Sequence, residues 1–206
     1  MSKGVFVVRV DNYLPDLCEV TLPAIEEWAK KIRASFTVIT ERKYPDLPPT
    51  YEKTQVWKLG RGNDWNILID CDMAIRPEMY DVTVATMPGT IGAWMVYDPA
   101  ITIAKDEILP LDGSGLALAT NFMAVPQAFH DVWRHLDMES AELLSRMKRP
   151  FVVDEYCISR NIKQLGATIS PLALPGAENN LFMHCNVTTD GVDYAKAVEM
   201  AREFML

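Results

Sequence analysis

Apolar positions along this chain alternate between two rhythms. Gly4 to Val10 is an apolar run rich in β-branched residues and predicts a first strand. Thr21 to Ala34 places Leu22, Ile25, Trp28, Ala29 and Ile32 at helical spacing, with Thr21 as cap and Pro23 in the first turn. Ser35 to Thr40 predicts a second strand, and the three prolines between Glu41 and Pro49 predict a loop. Tyr51 to Leu59 reads as a helix closed by Gly60-Arg61-Gly62-Asn63. Asn66 to Ile69 then reads as a strand buried on both faces, hence parallel, with Pro77 and Glu78 opening a short helix after it. Strand, helix, strand, helix, strand is the opening of an α/β fold with a parallel sheet.

The second half is less regular. Ile91 to Val96 and Leu118 to Val125 predict strands, and Gln127 to Leu136 and Glu139 to Met147 predict helices. A helix over Asp154 to Leu165 ends at Gly166, Leu181 to His184 is a short strand, and Val192 to Phe204 closes the chain as a helix. That last helix carries Val192, Ala195, Val198, Met200, Ala201 and Phe204, an apolar set suited to the sheet or, in a homo-oligomer, to a second copy.

At 206 residues and 49% hydrophobic, the chain has enough core for one domain. A net charge of -8 without any basic run argues against a nucleic-acid partner. No apolar run reaches the ~20 residues of a membrane span, and Arg9 interrupts the only apolar start, so neither a transmembrane segment nor a signal peptide is expected. Cys18, Cys71, Cys157 and Cys185 are scattered, which fits reduced thiols in a cytoplasmic protein.

The candidate chemistry sits where the third strand runs into Asp70-Cys71-Asp72. Carboxyl ends of strands are where open α/β sheets hold ligands. Two carboxylates spaced this closely repel each other unless a cation sits beside them, and hard divalent ions take carboxylate oxygen readily. The plainer alternative is a pair of strand-end turn formers.

Asp11-Asn12-Tyr13 followed by an amphipathic helix, Lys53 ahead of Asp70-Cys71-Asp72, the acidic Asp154-Glu155 at a helix start, and His184 near the C-terminus form a series that resembles family 8 glycosyltransferases, the glycogenin and lipopolysaccharide galactosyltransferase group. The resemblance spans nearly the whole chain and is specific as a series, each motif being short. It implies a single GT-A-like domain over residues 1–206, Rossmann-like, with a mixed, mainly parallel sheet flanked by helices. Residues 1–76 would form the nucleotide-binding half and 77–206 the half that completes the metal and acceptor sites. Asp70, Asp72 and His184 would hold Mn²⁺ or Mg²⁺. Val10, Asp11, Asn12, Tyr13, Lys53, Asp70, Cys71, Asp72 and Asn121 would contact a nucleotide-sugar donor, and Asp154 and Glu155 would be catalytic. The implied reaction moves a hexose from a UDP-sugar to a saccharide or other hydroxyl acceptor with retention. The loop from Tyr97 to Gly115 is the expected acceptor loop.

Several of these residues have bland alternatives: Tyr13 as a loop aromatic, Lys53 as a solvated lysine, Asp154-Glu155 as a favourable helix start, His184 as a core histidine. Three departures from the family stand out. Val10 and Arg9 stand near the place of a uracil-reading carboxylate, Phe122-Met123 follow Asn121 where the family has Ala-Gly, and the stretch from His184 to Gly191 carries no Lys. A catalytically inactive nucleotide-sugar-binding protein is therefore one alternative. A haloacid-dehalogenase-like phosphatase, which also uses a strand and Asp-x-Asp, is another. It fits less well, because that motif belongs on the first strand and here Ala74 stands where Thr or Val would follow.

Overall fold

The computed structural model describes residues 1–97, 116–173, 181–185 and 194–206. Strand β1 (Lys3–Val8) is flanked by β2 (Ser35–Ile39) and β3 (Trp65–Ile69), both parallel to it. Beyond β3 lie β6 (Leu116–Pro126), β5 (Ile91–Tyr97) and β7 (Ile169–Ala173), giving a six-stranded sheet in the order β2-β1-β3-β6-β5-β7. Strand β6 is antiparallel to both neighbours, and β5 and β7 pair in parallel. The sheet is thus mixed and mainly parallel.

Apolar residues on both faces of the central strands have a direct cause. Val5, Val7, Ile67 and Ile69 pack with Cys18, Ile25, Trp28 and Ala29 of helix α1 (Pro15–Lys31). Phe6 and Leu68, one residue out of phase, face the other way, toward Val132, Trp133, Ile158 and Ile162. The latter two lie on helix α5 (Val153–Leu165). Burying each such side chain contributes about 1.5–3 kcal/mol, which makes this three-layer core the main source of stability.

Local expectations fail in instructive places. Helix α1 begins at Pro15, not Thr21, because Leu14 adopts a left-handed conformation (φ 44°) and Pro15 suits the first helical position. Pro23 therefore lies inside the helix. The expected helix over Tyr51–Leu59 is a 3₁₀ turn, Pro49–Gln55, running into the short helix α2 (Val56–Leu59). No helix opens at Pro77. Residues Met73–Ile75 form strand β4, and a four-residue helix α3 (Val82–Ala85) follows, capped by Asp81 accepting from the Thr83 N–H. Gln127–Trp133 is 3₁₀ rather than α-helical, and α4 (Ser140–Arg146) is close to expectation.

Strand β8 (Phe182–His184) pairs antiparallel with β4 in a separate two-stranded ladder. The closing helix α6 (Tyr194–Phe204) packs Ala197, Val198 and Ala201 on Leu17 and Ala74. The Tyr194 hydroxyl also accepts the N–H groups of Asp16 (2.8 Å) and Leu17 (3.2 Å), supplying α1 with the cap that Leu14 does not. Of the expected acceptor loop from Tyr97 to Gly115, Tyr97 ends β5 and 98–115 lie outside the described residues, as do 192 and 193. None of the helices among the described residues is long and apolar enough to cross a membrane.

Candidate functional site

Asp70 ends β3, with its N–H still donating to Asn121 O of β6 (2.8 Å). The chain then reverses in a tight turn, Met73 N–H donating to Asp70 O at 3.1 Å. Asp70 and Asp72 therefore straddle a turn between two strands rather than opening a helix. Thr21, expected as a helix cap, instead donates its hydroxyl to Cys71 O at 2.5 Å and bonds Leu17 O at 3.1 Å, tying α1 to this turn.

The β4–β8 ladder brings in the far end of the chain. Met73 pairs with His184, and Cys185 N–H donates to Asp72 O at 2.9 Å. His184 Nε2 then lies 3.2 Å from Asp72 Oδ1. One ligand atom each from Asp70, Asp72 and His184 lie within 4.8 Å of one another. Two carboxylate oxygens and an imidazole nitrogen are a donor set that suits Mn²⁺ and admits Mg²⁺, so the residues present fit the expected ion. The Trp94 ring stands edge-on to the imidazole, 6.3 Å between centroids.

Lys53 is not a solvated lysine. Its side chain is 6% exposed, and Nζ lies 2.8 Å from Asp70 and 3.0 Å from Asp154. Nζ also donates to Thr120 Oγ1 (3.1 Å), whose hydroxyl donates in turn to Asp154 Oδ2 (2.6 Å). Thr120 is a participant that the sequence reading missed. An Asn-first motif drew attention to Asn121, and a threonine on a buried strand carries no signal of its own. Asn121 contributes its carbonyl to Asp70, while its Oδ1 is buried without a hydrogen-bond partner among the described residues.

The charges respond to this packing. Burial works against the Lys53 ammonium, but Asp154 and Asp70 outweigh it and hold its pKa above the ordinary lysine range. Burial likewise opposes ionisation at Asp72 and His184. Their mutual hydrogen bond and attraction prevail, lowering the carboxyl and raising the imidazole. Burial raises Asp70, with the Asp72 charge adding to it and Lys53 opposing both. Glu155, half-buried beside Asp154, is pushed up to about 8 by burial and then by the Asp154 charge.

A cavity of about 310 Å³ opens at this cluster. Lys53, Asp70, Cys71 and Asp72 line it together with Val10 and Tyr13 from the segment after β1. The expected neighbours Asp11 and Asn12 are exposed, in left-handed conformations (φ 55° and 53°), and Asp11 is paired with Arg42. The bulk of Phe122 and Met123 does not crowd the site: both are fully buried, in the cores on the two sides of the sheet.

No family model matches this chain, and neither does any curated protein. Among solved structures it is similar to a glycosyltransferase involved in the glycosylation of the major capsid of PBCV-1, at 11% identity and a TM-score of 0.59, covering 98% of this chain and 100% of that one. It is also similar to the catalytic domain of Drosophila β1,4-galactosyltransferase 7 in complex with xylobiose (11% identity, TM-score 0.49, 98% and 80% covered). A further match is the galactosyltransferase LgtC in complex with donor and acceptor sugar analogs (14%, 0.49, 81% and 73%). The first of these carries the assignment of fold: one α/β domain with the mainly parallel, helix-flanked sheet of GT-A glycosyltransferases.

Proposed function

We propose that this protein is a metal-dependent glycosyltransferase that moves a hexose from a nucleotide-sugar donor, a UDP-sugar being the first to test, to a hydroxyl acceptor with retention. What carries the reading is the convergence of Asp70, Asp72 and His184 beside a cavity that the two carboxylates line, within a GT-A fold. Residues 1–76 supply the nucleotide side, and later segments complete the metal and sugar sites.

Mn²⁺ or Mg²⁺ held by Asp70, Asp72 and His184 supplies Lewis acidity toward a diphosphate. Lys53, fixed by two carboxylates, contributes positive charge beside the same group without being free to swing. The Asn121 Oδ1, without a hydrogen-bond partner among the described residues, is an acceptor available to a sugar hydroxyl. In the reaction the bond from the anomeric carbon to the phosphate oxygen breaks and a bond to the acceptor oxygen forms on the same face. The acceptor proton passes to the departing phosphate oxygen. That route asks no free carboxylate to act as base, which suits Asp154, locked by Lys53 and Thr120. Asp154 then serves to offset the developing positive charge of the donor sugar, and the neighbouring Glu155 to hold that sugar by hydrogen bonding.

The test is release of free nucleotide from a panel of UDP-hexoses with Mn²⁺, its loss with chelator, and the anomeric configuration of the product by NMR. Turnover of phosphomonoesters instead would identify a phosphatase. A second reading, nucleotide-sugar binding without turnover, is favoured by the absence of a Lys from the stretch His184 to Gly191. It predicts thermal stabilisation by UDP-sugars with no nucleotide released.

A further inference from the structure

Beyond Tyr13, Lys53 and the acidic turn, the cavity is lined by residues unlike those of a base-reading site. These come from three chain segments: Val8 and Val10, then Pro48 and Pro49, then Phe151. Phe151 is 53% exposed, an unusual position for a phenylalanine, yet it is anchored: the Thr50 hydroxyl donates to its carbonyl oxygen at 2.9 Å. That bond ties the Phe151 backbone to the segment that carries Pro48 and Pro49, and all three line the cavity.

Several polar groups on and beside these segments are already engaged. Pro48 and Pro49 have no backbone N–H, and Pro48 O accepts from Tyr51 N–H (2.9 Å). The Glu52 carboxylate is fully buried and accepts from Arg42 Nε (3.1 Å), the N–H groups of Lys43 (3.0 Å) and Tyr44 (2.9 Å), and Gln55 Nε2 (2.7 Å). Asp11 is held by the other end of the same Arg42 side chain. The Thr50 hydroxyl is spent on Phe151. What Val8, Val10, Pro48, Pro49 and Phe151 offer a planar, polar-edged ring is contact with its faces.

We propose that Phe151 is a specificity-determining residue: a stacking platform that, with Pro48 and Pro49, binds the nucleobase by its face and leaves its edge unread. The site then accepts nucleoside diphosphates of different bases with little discrimination. This rests on the reading of the cavity as a nucleotide-sugar site. A bidentate edge contact separates bases by roughly 5- to 150-fold, and a stacked aromatic accounts for a similar factor regardless of the base.

The experiment is titration calorimetry of the full chain with UDP, GDP, ADP and inorganic pyrophosphate, each with Mn²⁺, on the wild type, Phe151→Ala and Phe151→Trp. The three nucleotides should bind the wild type within about tenfold of one another. Phe151→Ala should weaken all three alike, by roughly 5- to 20-fold, with pyrophosphate unchanged, and Phe151→Trp should restore them. A preference above roughly 100-fold for one base overturns the proposal. So does Phe151→Ala leaving the nucleotides unaffected, or weakening pyrophosphate as much as the nucleotides. Failure of the wild type to bind any nucleotide overturns the nucleotide-sugar reading itself and this proposal with it.

Discussion

Replacing Lys53 by methionine tests whether this cluster is built as described. The substitution keeps length and packing but removes a buried cation, leaving Asp154, 2% exposed, with the Thr120 hydroxyl, and Asp70 with His184 as its remaining counter-charge among the described residues. Removing one partner of a buried ion pair costs about 3–5 kcal/mol, because the surviving charge stays out of water uncompensated. At this chain length about 2–4 °C of melting temperature accompanies each kcal/mol, so Lys53→Met should melt roughly 6–20 °C below wild type in chelator. The Lys53 pKa lies above the ordinary lysine range, so the ammonium that the substitution removes is charged throughout the neutral region.

The double variant Lys53→Met/Asp154→Asn removes the stranded charge as well and should regain most of the lost stability, since neutral replacements for both partners are close to neutral in effect. Circular dichroism melts of the wild type, two single variants and the double variant close the cycle. A solvated lysine predicts a change within about 0.5 kcal/mol. A Lys53→Met melt within about 3 °C of wild type, or losses that simply add in the double variant, would refute the buried network.

Other outcomes are expected at the same site and around it. Asp72→Ala should abolish Mn²⁺-dependent nucleotide binding, and an unchanged calorimetric titration would remove the metal site. His184→Ala should weaken Mn²⁺ at least roughly 10- to 100-fold, the loss that even outer-shell partners of a metal bring; a loss of thermal stability alone would make it a structural histidine. Because the His184 pKa is raised above 6.5, protons compete with the ion at neutral pH. Mn²⁺ affinity should therefore fall from pH 8 to pH 6, by up to about tenfold per unit, and the slope should flatten in His184→Ala. Without metal the sign reverses: the charged His184–Asp72 pair stabilises the fold fully below 6.5, and that contribution is lost as pH rises through the raised value. Tyr194→Phe uncaps α1 and should cost about 1 kcal/mol, seen as a lower urea midpoint at unchanged slope.

Much of this architecture is legible in one dimension. Val5, Phe6, Val7 and Ile67, Leu68, Ile69 are apolar at every position because helices cover both sheet faces, and that demand is written residue by residue. The carboxylates at the end of such a strand follow from the same run, and the periodicity of α1 and α5 is local in the same way. Strands β4 and β7 are not legible: each is short and takes its identity from a partner, β8 or β5, distant along the chain. The contact of His184 with Asp72 depends on the register of the β4–β8 ladder, and the fate of Lys53 on two carboxylates brought in by β3 and α5. Periodicity records which face of an element must leave water. Which charges meet once it has done so is a matter of long-range register and burial, and only the folded chain decides it.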